Sequence, residues 1–273
     1  MRDPTQTMIK VDIDKENNEI SIMNNGKGIP VEMHKEHNVY VPELIFGHMM
    51  TSSNYDDDEK KVTGGRNGFG AKLCNIFSSQ FTVETAHKKK KFKMTWTGNM
   101  SDKKPAKIGT LSGDDYTKIT FRPDLKRFRV DCLSDDMVSL FRKRAYDIAG
   151  TTAGLKVFLD GKRISFSAKN PFKDYCEMYT KGLMLDSGAP VSVLYDKPDN
   201  KEAKGRWEVG FAVSCEGFQN VSFANSIATT KVRQDSTQLG YHYIFRAVAM
   251  LMLSWISCAK SSRIQSTRRT RAA

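Results

Sequence analysis

The sequence has 273 residues, enough for about two domains of the usual roughly 100–200 residues. Its composition, 39% hydrophobic and 27% charged, is that of a globular protein and excludes wholesale disorder and collagen-like repeats. The cysteines are widely spread and include no C-x-x-C pair, which excludes a disulfide-stapled miniprotein and indicates reduced intracellular thiols. They are Cys74, Cys132, Cys176, Cys215 and Cys258.

The formal net charge of +12 is typical of proteins that bind polyanions. Residues 231–273 carry eight Lys or Arg and one Asp, so they supply +7 and leave only +5 for residues 1–230. The polar start predicts no secretory signal. The 13-residue uncharged run at 247–259 is shorter than the roughly 20 residues that span a bilayer, so we expect no membrane partner.

The first elements are a hairpin and a bent loop. Apolar residues alternate over 9–13 and again over 20–22, which predicts two paired strands. The loop at 24–30 contains two glycines and a proline, so it can continue neither a strand nor an ordinary helix. A short helix is predicted over 42–50, with proline near its start.

The next stretch alternates between loop, helix and hairpin. Residues 51–66 are polar and predict a mobile surface loop resembling a lid. Helical spacing resumes over 68–77. Strands follow over 81–83 and 92–96, and the lysines at 88–91 between them indicate a solvated hairpin end.

A strand at 119–123 stopped by proline and a capped helix over 134–150 complete the first half. Asp160-Gly161 then predicts a tight hairpin between 155–159 and 163–166. Beyond a boundary near 167, short strands predict a second, antiparallel sheet. These strands are expected over 191–195, 206–214 and 218–223.

The most informative motif is the glycine-rich segment 64–72. Three glycines between 64 and 68 lead directly into a helix, whose exposed amides and positive dipole end suit a phosphate, with Lys72 as a nearby charge. A P-loop is excluded because Ala71 separates Gly70 from the lysine, and the dinucleotide fingerprint fails as well. The segment therefore predicts a different glycine-rich nucleotide-binding loop.

Three segments, 24–30, 51–68 and 225–231, resemble the N-terminal ATPase region of the eukaryotic type II DNA topoisomerases, a family of GHKL ATPases. The resemblance implies an α/β (α+β) fold. Residues 1–167 would form a GHKL, or Bergerat, sandwich without its first helix, in which helices cover one face of a mixed sheet. Residues 168–231 would begin the transducer domain, followed by a divergent basic tail at 232–273.

The resemblance also implies the residues that contact ATP. Two glycines leave room for the adenine pocket, the segment from Gly65 to Lys72 matches the phosphate loop, and Phe69 replaces the more usual Tyr. Thr117 matches the strand that floors the pocket. The implied ATP-binding residues are Asn24, Gly26, Gly28, Ser52, Ser53, Asn54, Gly65, Arg66, Asn67, Gly68, Phe69, Gly70, Ala71, Lys72 and Thr117.

By the same resemblance, the parent protein is an isomerase that uses ATP and Mg²⁺ to pass one DNA duplex through a transient double-strand break in another. DNA and a second copy of the protein would be its partners, and the nucleus its compartment. The general-base Glu and the Mg²⁺-binding Asn are expected upstream and the DNA-cleaving Tyr downstream, so no catalytic residue is assigned and this fragment alone is expected to be inactive. The alternative is a truncated, non-catalytic module that binds nucleotide or a partner.

No metal site is predicted from the sequence. The acidic run at 56–59 indicates a solvated loop, because consecutive residues cannot all point at one ion. The tail after Lys231 is expected not to pack on the second sheet as the family's helices do. The histidines show no ligand spacing and are interpreted as surface or satisfied side chains. They are His34, His37, His48, His87 and His242.

Overall fold

A computed structural model describes residues 3–49, 51, 68–197, 207–214, 218–229 and 247–254, the last stretch as backbone only. The predicted surface loop at 51–66 lies outside these residues apart from Thr51. The described chain divides into two compact units, the first holding the residues up to 149 with 154–168, the second 150–153 with those from 169 onward. The boundary expected near 167 lies beside this division, and the naming of the two parts stays a prediction.

The first unit is built on a nine-stranded mixed sheet. The strands are β1 (Met8–Asp14), β2 (Glu19–Asn25), β3 (Ser78–His87), β4 (Lys90–Thr97), β5 (Asp102–Lys103), β6 (Lys107–Thr110), β7 (Tyr116–Pro123), β8 (Lys156–Leu159) and β9 (Lys162–Arg163). Their order in the sheet is β5-β4-β3-β7-β2-β1-β8-β9, with β6 paired to β4. β1 and β8 are parallel and the other neighbours antiparallel. All the hairpins predicted for this part are present.

Helices of the described chain cover one face of this sheet: α1 (Val41–Gly47), α2 (Phe69–Ile76) and α3 (Asp135–Thr151). Val11, Ile22, Ile119 and Val83 lie directly opposite one another on neighbouring strands, so their side chains point to the same face. Residues of α1 and α2 pack in the core cluster that contains Val83. Residues of α3 pack in the cluster that contains Val11. The expected α/β sandwich is therefore confirmed.

The second unit contains one helix and a five-stranded sheet. Its elements are α4 (Pro171–Thr180), β10 (Leu194–Asp196), β11 (Trp207–Ser214), β12 (Gln219–Ala224), β13 (Ile227–Ala228) and β14 (Ala247–Ser254). The strand order is β10-β11-β14-β12-β13. β11 and β14 are parallel, which corrects the prediction of an antiparallel sheet. β14 lies in the tail that was expected not to pack as the family's helices do, and its backbone pairs as a strand with both β11 and β12, a pairing that was not predicted.

Helix α4 was not predicted, although Phe172, Tyr175 and Cys176 have helical spacing and are fully buried. It packs on β11, where a Cβ on Gly210 would meet Cys176 Sγ at 2.6 Å. Burial raises the pKa of the Cys176 thiol to about 12.

Cys74, Cys132 and Cys176 are free thiols. No helix of the described chain is long and apolar enough to cross a membrane.

The loop after β2 runs very close to β3. Gly28 has a φ of +64°, a left-handed conformation that favours glycine, and a Cβ built on it would lie 1.9 Å from the carbonyl oxygen of Ala86. Any other residue would therefore move either the loop or the strand.

Gly28→Ala is expected to lower the free energy of unfolding by about 2–5 kcal/mol, of which about 1–2 is the cost of left-handed backbone and about 1–3 the overpacking. Gly154→Ala is the matched control, because Gly154 has a φ of +80° but a Cβ added to it would meet no atom of the described residues within 4 Å. Urea unfolding of both variants measures the difference. Equal losses would show that the close approach to Ala86 carries no cost.

Candidate functional site

The floor of the site is a row of polar side chains that crosses three strands. Asn24 on β2 lies opposite Thr117 on β7, and Thr117 lies opposite Thr85 on β3. Directly opposite residues point to the same face, so all three face the helix-covered side of the sheet. The neighbouring row on that face is apolar and includes Ile22 and Ile119.

Ile22 marks an uncovered part of this face. It is 41% exposed, whereas Val83 in the same cross-strand row is 0% exposed. Core clusters hold α1 and α2 over β3 and β4, and α3 over β1 and β8, so the described helices leave part of β2 open between them. An apolar floor beside an amide and hydroxyl groups is typical of a ligand pocket.

The Thr85 hydroxyl connects this floor to the glycine loop. Its oxygen accepts the Ile29 N–H at 3.0 Å, lies 3.0 Å from the Tyr116 carbonyl oxygen, and lies 3.0 Å from Thr117 Oγ1. The residue is 0% exposed. Because an unpaired hydroxyl at this depth would be costly, the three partners fix the position of the loop relative to both strands.

Two further side chains hold the loop that contains Gly26 and Gly28. The Lys27 N–H donates to Asp3 Oδ2 at 2.8 Å, and His87 Nδ1 contacts the Lys27 carbonyl oxygen. The Thr5 hydroxyl and the Lys27 amide lower the pKa of Asp3. The loop is therefore held by Asp3 of the N-terminal segment, by Thr85 within β3 and by His87 at the end of β3.

The N-terminus of α2 provides an anion-binding group. Gly68 precedes the helix with a φ of 67° and no side chain caps it, so the first-turn amides have no partner within the helix. A Cβ on Gly70 would meet no atom of the described residues within 4 Å. Ala71, in the first turn of α2, and Ile29, in the glycine loop, pack against the same core cluster, so the positive end of the helix and this loop adjoin one part of the core.

Lys72 adds a buried positive charge in the first turn of α2. It is 1% exposed, and Nζ donates to the carbonyl oxygens of Thr51 and Gly68 at 3.0 Å each. Burial lowers its pKa, because desolvation disfavours the ammonium form. Two neutral carbonyls compensate a buried cation only partly, so a nearby anion would be attracted.

The structure brings together the predicted residues that it describes. Asn24 and Thr117 share the floor, Gly26 and Gly28 form the adjoining loop, and residues 68–72 form the start of α2. Their role in binding ATP stays a prediction. Six predicted residues lie outside the described part of the chain. They are Ser52, Ser53, Asn54, Gly65, Arg66 and Asn67.

Sequence reasoning missed Ile22, Thr85, Asp3 and His87. The sequence did indicate that Thr85 is unusual, because the alternation of this strand places a polar residue on the same face as apolar Phe81 and Val83. Asp3 and His87 had none, because they act through contacts with the distant backbone of Lys27.

Comparison with known families agrees with this geometry. Residues 1–127 match the family model described as histidine kinase-, DNA gyrase B-, and HSP90-like ATPase. The first unit therefore has the fold of the GHKL ATPases.

Individual relatives indicate a narrower family than this general model does. DNA topoisomerase 2 of Bombyx mori is 54% identical over 233 residues, which are 84% of this chain and 14% of that protein. The ATPase region of Saccharomyces cerevisiae topoisomerase II is 42% identical with a TM-score of 0.72, over 92% of this chain and 68% of that one. The ATPase and transducer domains of Balamuthia mandrillaris DNA topoisomerase II are 33% identical, with a TM-score of 0.67 over the same shares. The chain belongs to the type II DNA topoisomerase family and spans about a seventh of the curated relatives' length.

Thr85→Val is expected to lower the free energy of unfolding by about 1–3 kcal/mol, because it leaves buried polar groups around Ile29 without their partner. It is also expected to weaken nucleotide binding, because the loop and Thr117 lose their fixed positions. Urea unfolding and titration with a fluorescent ATP analogue measure the two effects.

Two variants control for this change. Thr85→Ser keeps the hydroxyl and should retain nucleotide affinity. Thr82→Val removes a hydroxyl that pairs with Thr95 Oγ1 at 2.9 Å on the other face of β3, so it should leave nucleotide affinity unchanged. Nucleotide affinity that is the same in Thr85→Val and Thr85→Ser would contradict the role of this hydroxyl.

Proposed function

We propose that this chain is the ATP-binding module of a type II DNA topoisomerase, an isomerase that passes one DNA duplex through a transient double-strand break in another. The observation that carries the proposal is that helix α2, which holds the buried Lys72, packs against β3 and β7, two of the strands that carry the polar floor row. An adenine base would lie on Ile22 beside Asn24 and Thr117. The phosphates would lie at the first turn of α2, near Lys72.

The described residues fit ATP because they offer each part of it a suitable surface. The apolar patch of Ile22 suits a flat base, and the floor hydroxyls and amide can orient its polar edge. The free amides of α2 and its dipole suit the negative phosphates. In this arrangement the protein binds and orients the nucleotide, and the sheet beneath it excludes water from one side.

Mg²⁺ fits the described residues less well. Carboxylates and water are its preferred ligands. None of the described residues assigned to ATP is Asp or Glu, and the carboxylate of Asp3 is already bonded to the Lys27 N–H. We therefore propose that Mg²⁺ is held through the nucleotide phosphates and ligands outside these residues.

The DNA partner, a homodimer and a nuclear location complete the proposal. DNA is supported by the name of the relatives, DNA topoisomerase 2, whereas the homodimer and the nuclear location rest on the family resemblance alone. The second unit would serve as part of the transducer, since the Balamuthia mandrillaris structure contains the ATPase and transducer domains.

Lys72→Met should weaken binding of a non-hydrolysable ATP analogue by about 10–100-fold, because a charge-assisted hydrogen bond contributes about 1.5–3 kcal/mol. Methionine keeps much of the side-chain volume and removes the charge. Lys90→Met, at an exposed position in the β3–β4 hairpin, is the matched control and should bind normally. Calorimetry measures both affinities, with circular dichroism to establish folding. Equal affinities for the two variants would contradict the phosphate position.

The role in DNA topology is tested in a chimera. This chain replaces the matching part of Saccharomyces cerevisiae topoisomerase II, and relaxation of supercoiled DNA is measured with and without ATP. We expect ATP-dependent relaxation that Lys72→Met removes. A soluble chimera that binds nucleotide but relaxes no DNA would contradict the topoisomerase role while leaving nucleotide binding intact.

A further inference from the structure

A turn between β2 and α1 brings two imidazoles and a carboxylate together. One potential ligand atom from each of His34, Glu36 and His37 lies within 4.8 Å of the others. The two imidazole rings have centroids 5.0 Å apart. The cluster lies outside the proposed nucleotide site and does not depend on it.

The turn is held by its own backbone. The His34 N–H donates to the Val39 carbonyl oxygen at 2.8 Å, and the Asn38 N–H donates to the His34 carbonyl oxygen at 3.1 Å. Met33 and Tyr40 form an isolated antiparallel bridge across its base. Because the backbone is already ordered, binding an ion here would require fixing only three side chains.

The side chains can adjust to an ion. Glu36 and His37 are exposed and His34 is half-buried. Zinc bonds to imidazole nitrogen and carboxylate oxygen are about 2.0–2.2 Å long, so small rotations of these exposed side chains would bring the ligand atoms into range. An ion bound at His34 Nδ1 would have to displace the hydrogen bond that this nitrogen accepts from the Glu36 N–H. That bond is weak because it is 3.3 Å long.

We propose that His34, Glu36 and His37 bind a divalent transition-metal ion of the zinc class. Imidazole and carboxylate are ligands that Zn²⁺ accepts, and three of them leave a fourth tetrahedral position for water. The bound ion would link His34 to His37 within the turn and so stabilise the connection that leads into α1. It would stabilise the folded chain by mass action.

The test is calorimetric titration of the full chain, without an affinity tag, with Zn²⁺. It is performed in a Cys132→Ser background, because Cys132 is an exposed free thiol that could bind zinc by itself. His37→Ala is the main variant, since His37 is exposed and its loss should not affect folding. His48→Ala is the control, because it removes a histidine outside the turn. The thermal midpoint is measured with and without Zn²⁺.

We expect one Zn²⁺ per chain, an affinity at least about tenfold weaker in His37→Ala and in Glu36→Gln, and no change in His48→Ala. Zinc should raise the thermal midpoint of the background protein and raise that of His37→Ala less. Either of two results would overturn the proposal: a folded chain that takes up no Zn²⁺, or zinc binding that His37→Ala leaves unchanged.

Discussion

The path of the chain around the site depends on how closely the glycine loop approaches β3. The Ile29 N–H must reach the buried Thr85 hydroxyl, and the residue before it, Gly28, must then pass against the Ala86 carbonyl. The hydrogen bond at Ile29 and the steric exclusion at Gly28 together allow the loop only one geometry. The same hydroxyl contacts Thr117, so the loop and the polar floor row are positioned together.

Electrostatics at α2 complement this rigid floor. The N-terminal amides of α2 and the buried Lys72 ammonium give this end of the helix a positive potential. Burial lowers the pKa of Lys72, which means that keeping this charge inside the protein carries a cost. In the proposed function, a phosphate bound beside Lys72 would reduce that cost.

Local patterns predict the local elements well. The helix expected over 134–150 is Asp135–Thr151, and the Asp160-Gly161 turn joins β8 to β9, because periodicity and turn chemistry depend on neighbours in sequence. Thr85 and the central strand β14 were missed because their roles depend on distant backbone. The resemblance supplied Asn24 and Thr117 from separate motifs, and only strand register shows that they are neighbours.

The register also orders the polar and the apolar rows along the strands. The row of Asn24, Thr117 and Thr85 lies at the ends of β2 and β3 and the start of β7. The next two rows toward the other end contain Ile119 with Val83, and Phe121 with Phe81, which belong to the main core. Thr85 is as fully buried as Val83, so the polar row is continuous with this core. The residues assigned to the proposed nucleotide site thus lie at the edge of the residues that hold the fold, and Thr85 belongs to both sets.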